Sequence, residues 1–276
     1  QLNVAMLEKA IQAVNAEGDF DIIHAHDWLV AHAGRALKHS YQLPLVATIH
    51  ATEYGRNNGL HNEVQRDISN IEWWLTYEAW KVICCSKYME NELYRVFDLP
   101  GDKVTYIPNG VHPARFKERR VPEDFKARFA LPHEKLVYFV GRLVREKGVQ
   151  VLIDAARKVL VNIPEAKFIV AGTGPYEKYL HNKARELGLG DKMLFTGYVT
   201  DEDRDMLYLV ADVAVFPSLY EPFGIVALEA MAAGTPVVVS DSGGLAETVV
   251  HEVDGLCAIT GSSNSLADQI IKVIQN

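Results

Sequence analysis

The sequence predicts an α/β protein built from two doubly wound domains, and three observations carry that expectation. Apolar runs of strand length, such as Leu136-Val137-Tyr138-Phe139-Val140 and Pro236-Val237-Val238-Val239-Ser240, punctuate stretches of helical periodicity. Several of these runs end in glycine-, proline- or histidine-bearing loops, where open parallel sheets bind their ligands. A chain of 276 residues, 49% of them hydrophobic, is long and apolar enough for two cores of modest size.

Composition narrows the function classes. A formal charge of -8 argues against a surface built to attract nucleic acid. No apolar run reaches the length of a membrane span and the start of the sequence has no secretory-signal pattern, so a cytoplasmic protein is expected. Cys84 and Cys85 are adjacent and Cys257 is far away, which gives neither a disulfide framework nor metal-ligand spacing. Reduced thiols and no bound metal are the expectation.

In chain order, residues 2–16 have helical periodicity and Gly18 stops them. Opening on a helix, where a doubly wound domain leads with a strand, predicts a first domain incomplete at its N-terminal side. Residues 21–24 read as a strand with Ala25-His26-Asp27-Trp28 at its carboxyl end, which makes His26 a catalytic candidate and His24 a structural hydrogen-bonding group. Residues 45–50 repeat the pattern, and the polar, turn-rich stretch 51–63 is expected to be a site loop. The run 68–80, with Trp73, Trp74, Tyr77 and Trp80, reads mainly as core packing. A strand at 81–86, a helix after it and a strand at 104–107 precede Pro108-Asn109-Gly110-Val111. Residues 113–133, rich in charge and proline, read as a connection more than a core, so the domains are expected at 1–113 and 114–276.

The second domain opens on the strand 136–140. Arg142 and Lys147, in the loop from Gly141 to Gly148, can offer fixed cations to a phosphate, with Arg145 a weaker candidate. A strand at 167–171 runs into Gly172-Thr173-Gly174-Pro175, whose glycines permit a tight turn beside a ligand, although the spacing is not the GxGxxG of dinucleotide sites. Further strands at 192–196 and 213–216 flank a helix at 201–210 and lead to Gly197-Tyr198-Val199 and Pro217-Ser218. Then Glu221-Pro222-Phe223-Gly224 feeds a helix whose first amides can face an anionic or hydroxyl-rich ligand. Glu221 and Glu229 are eight residues apart, which sets the second acid about two helical turns further in. The strand 236–240 runs into Gly243-Gly244, and a helix at 265–274 closes the pattern.

The stretch from Glu221 to Glu247, with its E-x7-E acids, PFG turn and SGGLAE, resembles the donor site of retaining glycosyltransferases with two Rossmann-like domains, the GT-B fold, in glycosyltransferase family 4 and the glycogen synthases. HAHDW at 24–28, TIH at 48–50, PNGV at 108–111 and the GRL and EKG of 141–148 extend the resemblance over most of the chain. It implies that Glu221 faces the transferred sugar and Glu229 holds the ribose hydroxyls. It also implies that Arg142 and Lys147 meet the diphosphate and that His26 lies beneath the reacting sugar carbon. Gly141, Gly172, Gly174, Tyr198, Phe223, Gly224, Ile225, Val226, Gly243 and Gly244 then line the donor, with Tyr198 beside the base. His50, Glu53, Tyr54 and Arg56 fall on the acceptor side. His112 stands where the family pattern has aspartate. Full-length relatives continue past the last helix, which predicts a truncated C-terminal end. The implied activity is retaining transfer of glucose from ADP-glucose or UDP-glucose to a glucan or other carbohydrate, with no tightly bound cofactor. Glycoside phosphorolysis and a non-catalytic sugar-binding role are the alternatives.

Overall fold

The structure is a computed structural model that describes residues 1–18 and 20–276. It divides into two compact units, Gln1–Pro108 and Asn109–Asn276.

The first unit runs α1 (Leu2–Glu17), β1 (Ile23–His26), α2 (Ala31–Tyr41), β2 (Leu45–Thr48), α3 (Glu53–Asn57), α4 (Glu63–Glu78), β3 (Lys81–Cys84), α5 (Lys87–Phe97) and β4 (Val104–Tyr106). Its strands pair in parallel in the order β1-β2-β3-β4, with Ile23 opposite Leu45, Val46 opposite Lys81 and Val82 opposite Val104. Part of the expected loop at 51–63 is helix α3, because the Thr52 hydroxyl accepts the Gly55 amide and starts a turn. Asn62 and Ser86 cap α4 and α5 in the same way.

The expected aromatic core of residues 68–80 is not what forms. Ser69, Glu72, Leu75 and Thr76 make the inward stripe of α4. Trp73 and Tyr77, one helical turn apart on another face, are exposed and stack on each other with ring centroids 5.6 Å apart. Trp80, beyond the helix end, is 67% exposed, and Trp74 is half-buried. The helix follows the strands it packs on, and its polar Glu72 takes the inner place because a backbone amide needs an acceptor there.

The second unit runs α6 (Ala114–Lys117), β5 (Lys135–Val140), α7 (Val149–Asn162), β6 (Ala166–Ala171), α8 (Glu177–Glu186), β7 (Met193–Gly197), α9 (Asp201–Val210), β8 (Val213–Phe216), α10 (Ile225–Ala232), β9 (Val237–Ser240), α11 (Leu245–Thr248), β10 (Leu256–Ala258) and α12 (Ser263–Gln275). The six parallel strands lie in the order β10-β9-β8-β5-β6-β7. Chain order therefore reverses between β5 and β8, a topological switch point. Both sheet faces are covered. Val137 and Phe139 point into the core that contains Leu152 of α7 and Ile270 of α12, whereas Leu136 and Tyr138 point into the core that contains Tyr208 of α9 and Ala227 of α10. Burial on both faces explains why β5 is an unbroken apolar run.

The chain divides after Pro108, before the expected boundary at 113, and the reason is packing. Phe116 and Phe125 are buried in the second core, and Arg115 pairs with Asp205, so the stretch read as a connection is part of the second unit. Among the described residues no helix is long and apolar enough to cross a membrane.

Candidate functional site

The switch point of the second sheet gathers the cations and acids that the sequence singles out. Gly141 and Arg142 follow β5, and Pro217 and Ser218 follow its neighbour β8. Two loops meet there through backbone groups. The Glu146 carbonyl accepts the amides of Leu219 at 2.7 Å and Tyr220 at 3.3 Å, and a side chain on Gly148 would strike the Pro217 carbonyl. This stitching brings the Lys147 ammonium to 2.6 Å from Glu221 Oε2, and the Ser218 hydroxyl donates to the same oxygen at 3.1 Å. Glu221 is only 6% exposed, and that ammonium and hydroxyl are the partners that meet its buried oxygen. The exposed side chain of Arg142 makes no hydrogen bond or ion pair among the described residues. The loop thus holds one cation that balances a buried acid and one that is available.

The turn carrying Glu221 is fixed from the β9 side. Ser240 and Ser242 donate to the carbonyls of Ser218 and Leu219, at 2.6 and 3.1 Å, and the Gly244 amide donates to the Glu221 carbonyl at 2.8 Å. A Cβ on Gly244 would lie 2.4 Å from Phe223 Cα, so glycine is needed for this close approach. Gly172 is similar, with its missing side chain directed at the Gly141 carbonyl oxygen. The space denied to a side chain at Gly172, Gly174 and Gly244 is filled by neighbouring backbone, as a tight turn requires.

Glu229 lies closer to the helix start than the eight-residue spacing suggested. Residues 221–224 form a turn ending in left-handed Gly224, so α10 begins at Ile225 and Glu229 lies about one turn in. Its carboxylate meets the Tyr208 hydroxyl at 3.3 Å and Arg115 Nη1 at 3.4 Å. Sequence reading missed Arg115, Asp205 and Tyr208, which lie on a presumed linker and a helix with no motif. No side chain caps α10, whose N-terminal amides stand beside exposed Ile225 and half-buried Val226. Phe223 is 9% exposed, Gly243 has positive φ, and Tyr198 is exposed beyond the end of β7.

In the first unit, His26 and His50 come together at the carboxyl ends of β1 and β2. His26 Nδ1 and His50 Nε2 are 3.0 Å apart, so one ring donates and the other accepts. Asp27 adopts a positive φ of 58°, and its carboxylate accepts the His50 amide at 2.8 Å. His24 contacts Thr48 Oγ1 at 2.7 Å, in keeping with a structural role. Desolvation, and then the neighbouring His26 and His50, hold the His24 imidazole below its ordinary range. Of the acceptor-side candidates, Glu53 donates its amide to both oxygens of buried Glu72 at 3.0 Å, Tyr54 lies under Arg95, and Arg56 is half-buried on the same short helix. Burial pushes the Glu72 carboxyl up to about 8, against the Glu53 amide and the Arg56 charge. Among the described residues no cluster of three or more His, Cys, Asp or Glu is placed to hold a metal ion.

The family model for glycosyl transferases group 1 matches residues 121–276, and that for glycosyltransferase family 4 matches residues 1–115. The chain belongs to the group 1 glycosyltransferases. This glycosyltransferase is 42% identical over 261 residues to an uncharacterized glycosyltransferase of Methanocaldococcus jannaschii, across 93% of this chain and 67% of that protein. It is 37% identical over 257 residues to the glycogen synthase of Mycobacterium tuberculosis, across 93% of this chain and 60% of that one. The chain thus spans 60 to 67% of the length of these curated relatives. Among solved structures, sucrose-phosphate synthase from Thermosynechococcus elongatus superposes with a TM-score of 0.84 at 30% identity, over 98% of this chain and 68% of that chain. Anabaena HepE in complex with UDP and glucose gives 0.84 at 25%, over 99% and 72%. The two units of this glycosyltransferase are thus the Rossmann-like domains of the GT-B fold.

Proposed function

We propose that this glycosyltransferase acts with retention, moving glucose from a nucleotide diphosphate sugar, UDP-glucose or ADP-glucose, to a glucan or another carbohydrate acceptor. The observation that carries the proposal is the Lys147–Glu221 pair beside the available Arg142, at the switch point between β5 and β8. Breaking the bond from the anomeric carbon to the phosphate oxygen leaves its electron pair on the diphosphate and positive charge on the sugar. Arg142 and Lys147 would offset the charge on the diphosphate, and Lys147, already held by Glu221, needs little reorganisation to do so. Glu221, held by Lys147 and Ser218, would orient the sugar hydroxyls, with the uncapped amides at the start of α10 assisting. Glu229 would take the ribose hydroxyls. The acceptor hydroxyl forms the new bond on the face the diphosphate leaves, and its proton goes to the departing phosphate, so no protein nucleophile is needed.

The second unit is thereby the donor side, where Gly141, Gly172, Gly174, Tyr198, Phe223, Ile225, Val226 and Gly243 would frame the nucleotide. The first unit is the acceptor side, where His26 would contact the sugar and His50, Glu53, Tyr54 and Arg56 the acceptor. A glycogen synthase among the relatives and a neighbour solved with UDP and glucose support this choice of substrates. The test is Arg142→Ala in a transfer assay with UDP-glucose and ADP-glucose. Turnover should fall about a hundredfold or more, the size seen on removing one charge-stabilising donor, while the unfolding midpoint stays put. Near-normal transfer by the folded variant would remove Arg142 from the chemistry.

A further inference from the structure

The ribose assignment of Glu229 raises a question that the E-x7-E spacing leaves open, namely what aims a carboxylate lying between other charged groups. Glu229 is largely buried, with its side chain 12% exposed. Close by is Asp205, whose side chain is 1% exposed. Two carboxylates in one poorly hydrated place repel each other and need a cation between them. Arg115 is that cation. Its Nε donates to Asp205 Oδ2 at 2.7 Å and its Nη2 to Asp205 Oδ1, a two-pronged contact that fixes the plane of the guanidinium. The remaining nitrogen, Nη1, is then directed at Glu229 Oε1, 3.4 Å away. Arg204 and Arg119 also approach Asp205, each at 3.3 Å, which leaves Arg115 as the guanidinium shared between the two acids.

On its other oxygen, Oε2, Glu229 meets the hydroxyl of fully buried Tyr208 at 3.3 Å. Both contacts are at the long end of hydrogen bonding, so they hold the carboxylate without using up its acceptor capacity. Free lone pairs on both oxygens suit two neighbouring hydroxyls. We infer that Arg115 is a positioning residue of the nucleotide site: anchored on Asp205, it sets the rotation of the Glu229 carboxylate so that both oxygens can accept from the vicinal hydroxyls of a ribose. The inference rests on the ribose reading of Glu229. It gives the segment after the unit boundary a part in the donor site, although Arg115 itself touches no substrate.

Lysine at this position keeps a charge for Asp205 but lacks the fork that reaches both acids. The measurement is calorimetric titration of the whole chain with UDP and ADP and with their 2′,3′-dideoxy counterparts, in the native, Arg115→Lys and Glu229→Gln proteins. The native chain should prefer the ribose form by about tenfold or more, as expected for hydrogen bonds to a charged group. In Arg115→Lys that preference should shrink to about threefold or less while affinity for the dideoxy form is unchanged. A merely structural role would weaken both forms together and leave the ratio intact. If the lysine variant does not fold, Asp205→Asn, which weakens the anchor and keeps Arg115, supplies the same ratio. A preference lost in Glu229→Gln but intact in Arg115→Lys, or in Asp205→Asn where that replaces it, overturns the inference and spares the ribose reading. A preference intact in Glu229→Gln, or no binding of UDP or ADP to the native chain, overturns both.

Discussion

The two units carry the same parallel α/β plan but hold their candidate residues by different means. In the second unit the strand order reverses between β5 and β8, where two loops meet, and the buried acids Glu221 and Asp205 are matched by Lys147 and Arg115. In the first unit the described strands run β1 to β4 without reversal. There the candidates are a histidine pair and a short helix tied to the buried carboxyl of Glu72. Buried acids in the second unit thus depend on cations that sheet order brings to them, whereas the paired histidines of the first unit need only adjacent strand ends. Substitution should therefore damage the second unit through lost geometry and the first through altered protonation.

The largest effect should come from Gly172→Ala. At φ 130° an added Cβ would lie 1.9 Å from the Gly141 carbonyl oxygen, so one loop must move off the other. A loss on the order of 4 kcal/mol is expected, from backbone strain together with overpacking. All four tryptophans, Trp28, Trp73, Trp74 and Trp80, belong to the first unit, so their fluorescence follows that unit alone. On heating, circular dichroism should lose the contribution of the second unit earlier than in the native protein, ahead of the change in tryptophan emission. Native-like melting of both signals would show that the contact between the loops after β5 and β6 does not stabilise the second unit.

A smaller effect sharpens the same contrast in the first unit. Burial raises the Glu72 carboxyl from 4.5 to about 8, so between those values the native unit keeps a proton that the unfolded chain has lost. This contribution to stability is complete below pH 4.5 and is lost as pH rises through about 8. Tryptophan-monitored denaturation should show stability falling by roughly 2 kcal/mol between about pH 6 and pH 7.5. Glu72→Gln, which still offers a carbonyl oxygen to the Glu53 amide, should flatten that profile. Equal slopes in the two proteins would mean that Glu72 is not the group responsible.

Trp80→Ala should do least. With 67% of Trp80 exposed, truncation should shift the denaturation midpoint by an amount worth less than about 0.5 kcal/mol, as for other surface sites. A cost of several kcal/mol would restore the core role that its aromatic neighbours suggest.

Local pattern located most of the strands and the loops that follow them, although it offered no strand at β10 and set β1 two residues early. Residues 213–216 and 201–210 were legible because a strand buried on both faces is an unbroken apolar run and a helix of this size repeats its apolar positions. The family motifs added the candidates, since E-x7-E and the GRL and EKG segments lie within single stretches of chain. Tertiary structure alone decided their partners. Lys147 and Glu221 are 74 residues apart, and Arg115 and Glu229 are 114 apart, so sheet order and not spacing brings them together. The same holds for burial: residues 113–133 carry the charge and proline of a connection, yet Phe116 and Phe125 find a core, while Trp73 and Tyr77 face outward. Periodicity reports which residues of a segment share a face. Which face is covered depends on what the rest of the chain packs against it.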